Sequence, residues 1–144
     1  MIERLHYIAA HEIPDAVRQK MLDAVRDVYN DDTAHEFADE MDNGFPYEYV
    51  VLVDTAADIV VGLGAMMKSG LDFDIWELAW GLVRAEYRGR GMGRRLNDER
   101  IDIIRWYGGK KILCVTKKIW HLSRNGFHIA CTFANGDNLM VCEL

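Results

Sequence analysis

From residue 83 to residue 95 the chain reads Val-Arg-Ala-Glu-Tyr-Arg-Gly-Arg-Gly-Met-Gly-Arg-Arg, with glycine at 89, 91 and 93 among five arginines. Glycines at alternate positions remove every Cβ from one side of a turn, so backbone N–H groups can approach a ligand closely and take φ > 0 where needed. The spacing beyond residue 91 predicts a helix, whose free N–H groups and positive dipole end would point at the same spot. That combination suits the binding of an anion, phosphate above all.

The elements that must carry this turn are read from periodicity. Leu5, Tyr7 and Ala9 alternate and predict a first strand over Ile2–Ala9. Pro14 precedes Val17, Met21, Val25 and Val28 at three- and four-residue spacing, an amphipathic helix to about Tyr29 that Asn30-Asp31-Asp32 stops. Thr33 to Glu36 has the capping-box pattern with Thr33 as N-cap, starting a short helix through Phe37 and Met41 that Asn43-Gly44 ends. Tyr47–Val53, Ile59–Lys68 and a third run from about Phe73 to Val83 form an antiparallel meander. After the glycine turn, Met92, Leu96, Arg100, Ile103 and Tyr107 step along a helix closed by Gly108-Gly109. Ile112–Thr116 reads as a strand buried on both faces, Ile119 to Asn125 as a brief helix, and Phe127–Ala134 with Leu139–Leu144 as a hairpin about the two residues Asn135-Gly136. The order β-α-α-β-β-β-α-β-α-β-β predicts one α+β domain over residues 1–144 with a mixed sheet.

Composition narrows the function classes. The net charge of −6 conceals an asymmetry: residues 1–83 hold five Lys/Arg against seventeen Asp/Glu, and residues 84–118 hold eleven against four. A basic middle beside an acidic first half fits an anionic cofactor on one side and a cationic substrate on the other, although Arg100, Arg105 and Lys110 read equally well as a solvated helix face. Overall acidity without an interleaved aromatic stripe argues against nucleic acid as the partner. The sequence has no apolar run long enough to cross a membrane and no signal-peptide pattern, so a cytoplasmic location is expected. Cys114, Cys131 and Cys142 are isolated among apolar neighbours and read as buried free thiols, and no paired Cys/His spacing suggests a bound metal. Trp76, Trp80, Trp106 and Trp120 read as core or as pocket wall.

Neither a P-loop nor a dinucleotide fingerprint fits, because no Lys-Ser/Thr follows these glycines and the third glycine comes one residue early. Arg88-Gly89-Arg90-Gly91-Met92-Gly93 after a strand instead resembles the Arg/Gln-x-x-Gly-x-Gly/Ala signature of the GNAT family of N-acetyltransferases. Leu82-Val83 and Glu86-Tyr87 before it, Arg95-Leu96 behind it, and Asn125-Gly126-Phe127 near the end are also typical of that family, and the element order matches over the whole chain. The resemblance implies a GNAT acyl-CoA N-acyltransferase fold with acetyl-CoA as co-substrate. It implies that backbone N–H groups of Arg88, Gly89, Arg90, Gly91, Met92, Gly93 and Arg94 bind the pyrophosphate. Pantetheine would pair beside Leu82 and Val83, where the strand parts from Ile112–Thr116, and Gly81 would favour a bulge there or simply close packing.

Acetyl transfer to an amine needs a neutral nitrogen, and the resemblance implies a glutamate base eleven residues before Arg88, which is Glu77. Regular alternation would put Glu77, Ala79, Gly81 and Val83 on one strand face and Trp76, Leu78, Trp80 and Leu82 on the other; a solvent-facing Glu77 at the strand start is the plainer alternative. Where many family members carry a tyrosine acid, four residues before the closing glycine, this chain has Leu122. His121 is then the candidate acid, against a surface or capping histidine. Glu36, Asp39, Glu40 and Asp42 line either a substrate entrance or a solvated helix face. The expected acceptor is a small-molecule or peptide amine, and pairing of C-terminal strands into a homodimer is compatible with so small a domain. The alternative is a GNAT-fold binding or structural protein without turnover.

Overall fold

A computed structural model describes residues 1–72 and 74–144; Phe73, at the expected start of the third meander strand, lies outside them. The described elements are β1 (Ile2–Tyr7), α1 (Asp15–Val28), α2 (Asp31–Asp42), β2 (Glu48–Asp54), β3 (Ile59–Lys68), β4 (Ile75–Val83), α3 (Met92–Trp106), β5 (Lys111–Thr116), α4 (Ile119–Ser123), β6 (His128–Thr132) and β7 (Asn138–Glu143). Short 3-10 turns at Ala10–Glu12 and Ala85–Tyr87 complete the chain's expected order. Among the described residues the strands form one sheet in the order β1-β2-β3-β4-β5-β7-β6, antiparallel except where β4 meets β5.

Both faces of the central strands are covered, which explains their near-continuous apolar sequence. On one face α1 and α2 bury Met21, Val25, Phe37 and Met41 against Tyr49, Val51 and Leu63. On the other, α3 buries Leu96, Ile101 and Ile104 against Leu52, Met66, Trp76 and Ile112. The predicted α3 stripe is rotated slightly, because Asn97, Arg100 and Ile104 turn inward while Tyr107 stays partly exposed.

Several expectations are corrected. The N-cap of α2 is Asn30, whose Oδ1 accepts the Thr33 N–H at 2.8 Å, so Asp31 and Asp32 are not a stop but the first turn, where negative charge meets the positive end of the dipole. The last hairpin has a three-residue loop: Phe133 N–H bonds to Asp137 O at 2.8 Å and Gly136 takes φ +90°, the geometry of a turn followed by a left-handed residue. Of the tryptophans, Trp76 is core and Trp80 half-buried, but Trp106 and Trp120 are 82% and 56% exposed. The three thiols are free, yet only Cys142 is buried, and Cys131 is exposed on the edge strand β6.

Candidate active site

The glycine turn folds as an open anion cradle. Gly89 and Gly91 both adopt the left-handed region, at φ +76° and +79°, and no atom lies within 4 Å of where a Cβ would stand on either. Gly91 is the N-cap of α3 and, lacking a side chain, gives no capping bond; the first turn also holds no acidic residue. Arg95 N–H is the first to find a carbonyl, that of Gly91 at 2.9 Å, so among the described residues the N–H groups of Met92, Gly93 and Arg94 are unspent. These donors, with the dipole behind them, fit a phosphate without rearrangement.

The arginines divide by task. Arg84 is structural: its Nε donates to Val60 O at 2.7 Å and its Nη1 lies 3.4 Å from Asp27. Arg95 donates to Ile2 O and pairs loosely with Glu99. Arg88 donates from Nε to Val83 O at 3.1 Å, Arg90 lies 5.2 Å over the Tyr87 ring, and no ion pair engages Arg94 among the described residues. Tyr87 is itself anchored, donating its hydroxyl to Asp54 at 2.6 Å. That bond, with the N–H groups of Ala57 and Ala56, holds the Asp54 carboxyl below its ordinary range.

Strand β4 delivers the turn and opens a cleft beside it. Its parallel register with β5 runs only through Ile75, Trp76 and Glu77, opposite Lys111, Ile112 and Leu113. Beyond Glu77 the two strands part, leaving a cleft of about 350 Å³ lined by Glu77, Leu78, Ala79, Trp80, Leu113, Cys114, Val115 and Leu139. On its other edge β4 carries a bulge: Ala79 pairs with Ala65 and Leu82 with Leu63, so Trp80 and Gly81 together oppose Gly64. The left-handed residue is Trp80, at φ +52°, rather than Gly81.

The bulge overturns the expected alternation. Ala79, Trp80 and Leu82 all pack with the α1/α2 core, while Trp76 and Leu78 belong to the α3 core. Val83 packs near Gly93 of α3, so Glu77 and Val83 do not share a face. The extra residue inverts the pleat beyond Ala79. Arg84 N–H is bonded to Val61 O on β3 at 2.8 Å, so by alternation of backbone direction the N–H and C=O of Val83 point away from β3 and toward the open side.

Glu77 is half-buried at the cleft, and no hydrogen bond engages its carboxylate among the described residues. A second carboxylate, Glu40 of α2, accepts a hydrogen bond from Trp80 Nε1, so this one of the four α2 acids is not simply part of a solvated face. Burial, then the charges of Glu40 and Glu77, push the Tyr47 hydroxyl above its usual value, so both carboxylates act on that ring. Tyr49 beside it is fully buried with no partner for its hydroxyl among the described residues, and is raised by burial first and by Glu40 next. Glu40, Tyr47, Glu77 and Trp80 therefore form an acidic, aromatic surround on the α2 side.

His121 lies on α4 with its ring against Trp120. Burial, followed by Lys118, Arg124 and Arg88, holds its imidazole below the usual value, and the influence of Arg88 marks its nearness to the anion cradle. Leu122 is buried in the α3 core, so that position contributes packing rather than a proton. Asn125 extends from the end of α4 to α3, donating to Asp98 at 2.6 Å and accepting from Asn97 at 3.3 Å. Asn97 carries no signal in the sequence, and Arg100, which falls within the apolar stripe of α3 and reads equally well as a solvated face, is buried.

No protein-family model matches the sequence, and no curated protein sequence matches it. Solved structures do. The GNAT family N-acetyltransferase YhbS from Escherichia coli in complex with CoA superposes with a TM-score of 0.76 at 23% identity, over 99% of this chain and 82% of that one. An acyl-CoA N-acyltransferase from Pseudomonas aeruginosa gives 0.79 at 9% identity over 99% of both chains. An aminoglycoside 6′-N-acetyltransferase complexed with coenzyme A gives 0.72 at 20% identity over 99% of this chain and 96% of that one. The chain is similar to these proteins along its length, and the architecture it shares with them is the GNAT fold.

Proposed function

With the GNAT fold as premise, we propose that this protein is an N-acetyltransferase that moves the acetyl group of acetyl-CoA to a primary amine within a ternary complex. The observation that carries the reading is a continuous path: an uncapped helix N-terminus with unspent N–H groups opens beside strands that part directly after Glu77. Two of the similar structures are described as CoA complexes, which supports the same assignment.

The turn from Gly89 to Arg94 holds the pyrophosphate through backbone N–H groups; the Arg88 N–H, expected among them, is instead spent on Ala85 O at 3.2 Å in closing the 3-10 turn, and the guanidinium groups of Arg90 and Arg94 add charge. Val83 offers the backbone edge along which pantetheine lies, while the N–H and C=O of Leu82, expected to share that edge, face Leu63 on β3 by the same alternation. Acetyl-CoA, when bound, supplies an activated thioester carbonyl. The Glu77 carboxylate takes a proton from the acceptor ammonium, directly or through one water, freeing the nitrogen lone pair to form the new C–N bond. The Val83 N–H, facing the open side, stabilises charge developing on the thioester oxygen. As the C–S bond breaks, its electron pair stays on sulfur, and the thiolate is protonated by His121 or by water. Glu40 and Glu77 beside Tyr47 and Trp80 suit a cationic amine, and aminoglycosides, the acceptors named for one similar structure, are of that chemistry.

Among the described residues no helix is long and apolar enough to cross a membrane. Because Leu122 fills the place of the usual acid with a core side chain, the second reading is a CoA-binding GNAT-fold protein without turnover. Calorimetry and thermal shift with acetyl-CoA, followed by thiol release across a panel of amines, test both. Binding with amine-dependent thiol release is expected; binding without release selects the second reading, and no heat or thermal shift at millimolar acetyl-CoA refutes the enzyme.

A further inference from the structure

Arg100 is the most deeply buried charged side chain described, 3% exposed, and no carboxylate lies within 4 Å of it among the described residues. Its guanidinium sits at the β4 bulge. Nη1 donates to Ala65 O at 3.1 Å and to Ala79 O at 3.2 Å, and Nη2 donates to Asn97 Oδ1 at 2.7 Å. Nε is buried with no partner among the described residues. Two glycines clear the space it occupies: a Cβ on Gly64 would stand 2.7 Å from Cζ, and one on Gly81 would stand 3.1 Å from Nη2.

The carbonyls it bridges belong to the Ala65–Ala79 pair that adjoins the bulge, where the β3–β4 register shifts and the ladder is locally disrupted. Asn97 Nδ2 in turn donates to Asn125 Oδ1, and Asn125 Nδ2 to Asp98, so the first carboxylate reached along the network is two amides away. A buried cation left without a direct counter-charge is costly, and an apolar side chain of similar volume would commonly be no worse for stability. Its charge stands at the cleft, because it donates to the carbonyl of Ala79, which lines the cleft together with Cys114, the first β5 residue past the β4 pairing; burial pushes the Cys114 thiol up and Arg100 opposes that rise. Burial pulls Arg100 down to about 10, which still leaves it charged at neutral pH.

We infer that Arg100 is a positioning residue of the acyl-transfer site: it holds the Ala79–Gly81 bulge that turns the Val83 edge toward the cleft, and its uncompensated charge favours negative charge developing there. The effect on transfer rests on the acetyltransferase reading; the placement of charge at the cleft does not.

The test compares parent, Arg100→Met and Arg100→Lys in a Cys131→Ser background, with two readouts: the pH dependence of Cys114 alkylation by iodoacetamide, and steady-state acetyl transfer. In R100M the Cys114 profile is expected to move to higher pH, and kcat to fall roughly tenfold, below the range seen when a direct oxyanion donor is removed, with the acetyl-CoA KM within about twofold. R100K keeps the charge without the planar fork, so its thiol profile stays near parent and its kcat falls less. An unmoved Cys114 profile in folded R100M overturns the placement of charge whether or not the parent turns over, and an unchanged kcat with active parent overturns the role in transfer. A parent that shows no turnover defeats the acetyltransferase reading separately. If R100M fails to fold, Gly81→Ala presses on Nη2 while keeping the charge; kcat falling with KM preserved supports the inference, and unchanged kcat overturns it.

Discussion

Replacing Gly64 by alanine probes the bulge most directly. The new Cβ would stand 2.7 Å from Arg100 Cζ, 2.8 Å from Nη1 and 2.9 Å from Nε, well inside the ordinary carbon–carbon separation of about 3.5–4.0 Å. The end of an arginine is flexible, but here it is buried and three hydrogen bonds hold the fork. Displacing it forfeits the two Nη1 bonds, each about 1.5–3 kcal/mol for a charged donor. Keeping the Asn97 bond and partly resolvating the carbonyls reduces that loss, giving an expected cost of about 2–4 kcal/mol. In a domain of this size such a loss lowers Tm by roughly 5–15 °C. The assay is urea and thermal unfolding of the parent, G64A, R100A and the double variant. With Arg100 shortened, the Cβ meets vacated space, so G64A should cost less than about 0.5 kcal/mol and the coupling should be at least about 1.5 kcal/mol. Additivity of the two substitutions within about 0.5 kcal/mol would refute the packing argument.

Glu77→Gln is expected to lower kcat by about 10²–10⁴ at neutral pH while leaving acetyl-CoA affinity intact, and an unaltered pH–rate profile removes Glu77 from the mechanism. Arg94→Ala should weaken acetyl-CoA binding by an amount that shrinks as salt rises; calorimetry at low and high ionic strength measures it, and a salt-independent loss argues against a phosphate contact. His121, held low by burial and by Lys118, Arg124 and Arg88, should titrate by NMR below its ordinary value and move up when acetyl-CoA brings negative charge. Because the unfolded chain then binds that proton more readily, His121 makes stability fall as pH drops through about 6.5, and His121→Ala should flatten that dependence. Tyr107, pushed up to about 12 by burial and by donating to Glu48, stays protonated in the folded state above about pH 10. Its contribution to stability is lost between about pH 10 and 12, and Glu48→Gln should narrow that window in alkaline unfolding.

Local signals located most of the molecule. The stripe of Val17, Met21 and Val25 marked α1, the apolar runs marked β2 and β3, and the glycines at 89, 91 and 93 marked the cradle, because each depends on spacing within one or two turns of chain. Helix α2 was found with its cap misplaced, since Asn30 and Thr33 are both good caps and only the backbone entry angle decides between them. Trp106 and Trp120 were misassigned because an aromatic side chain states its size but not which way its helix turns.

Residue types and spacing alone marked the anion cradle and the element order, for these are properties of neighbours along the chain, while Glu77 as the candidate base came with the family resemblance. Tertiary structure alone decided that the expected parting of β4 from β5 begins directly after Glu77, that the bulge takes in Trp80 with Gly81 opposite Gly64 and makes Trp80 the left-handed residue, and that Glu40 reaches Trp80. It also decided that Arg100, open between a charged site and a solvated helix face, is a buried cation, and that Leu122, in the place of the usual acid, is core. The physical reason is common to all five: one inserted residue inverts a pleat, and a helix's rotation against a sheet depends on partners tens of residues away, so side chains reach their places through contacts that spacing along the chain does not encode.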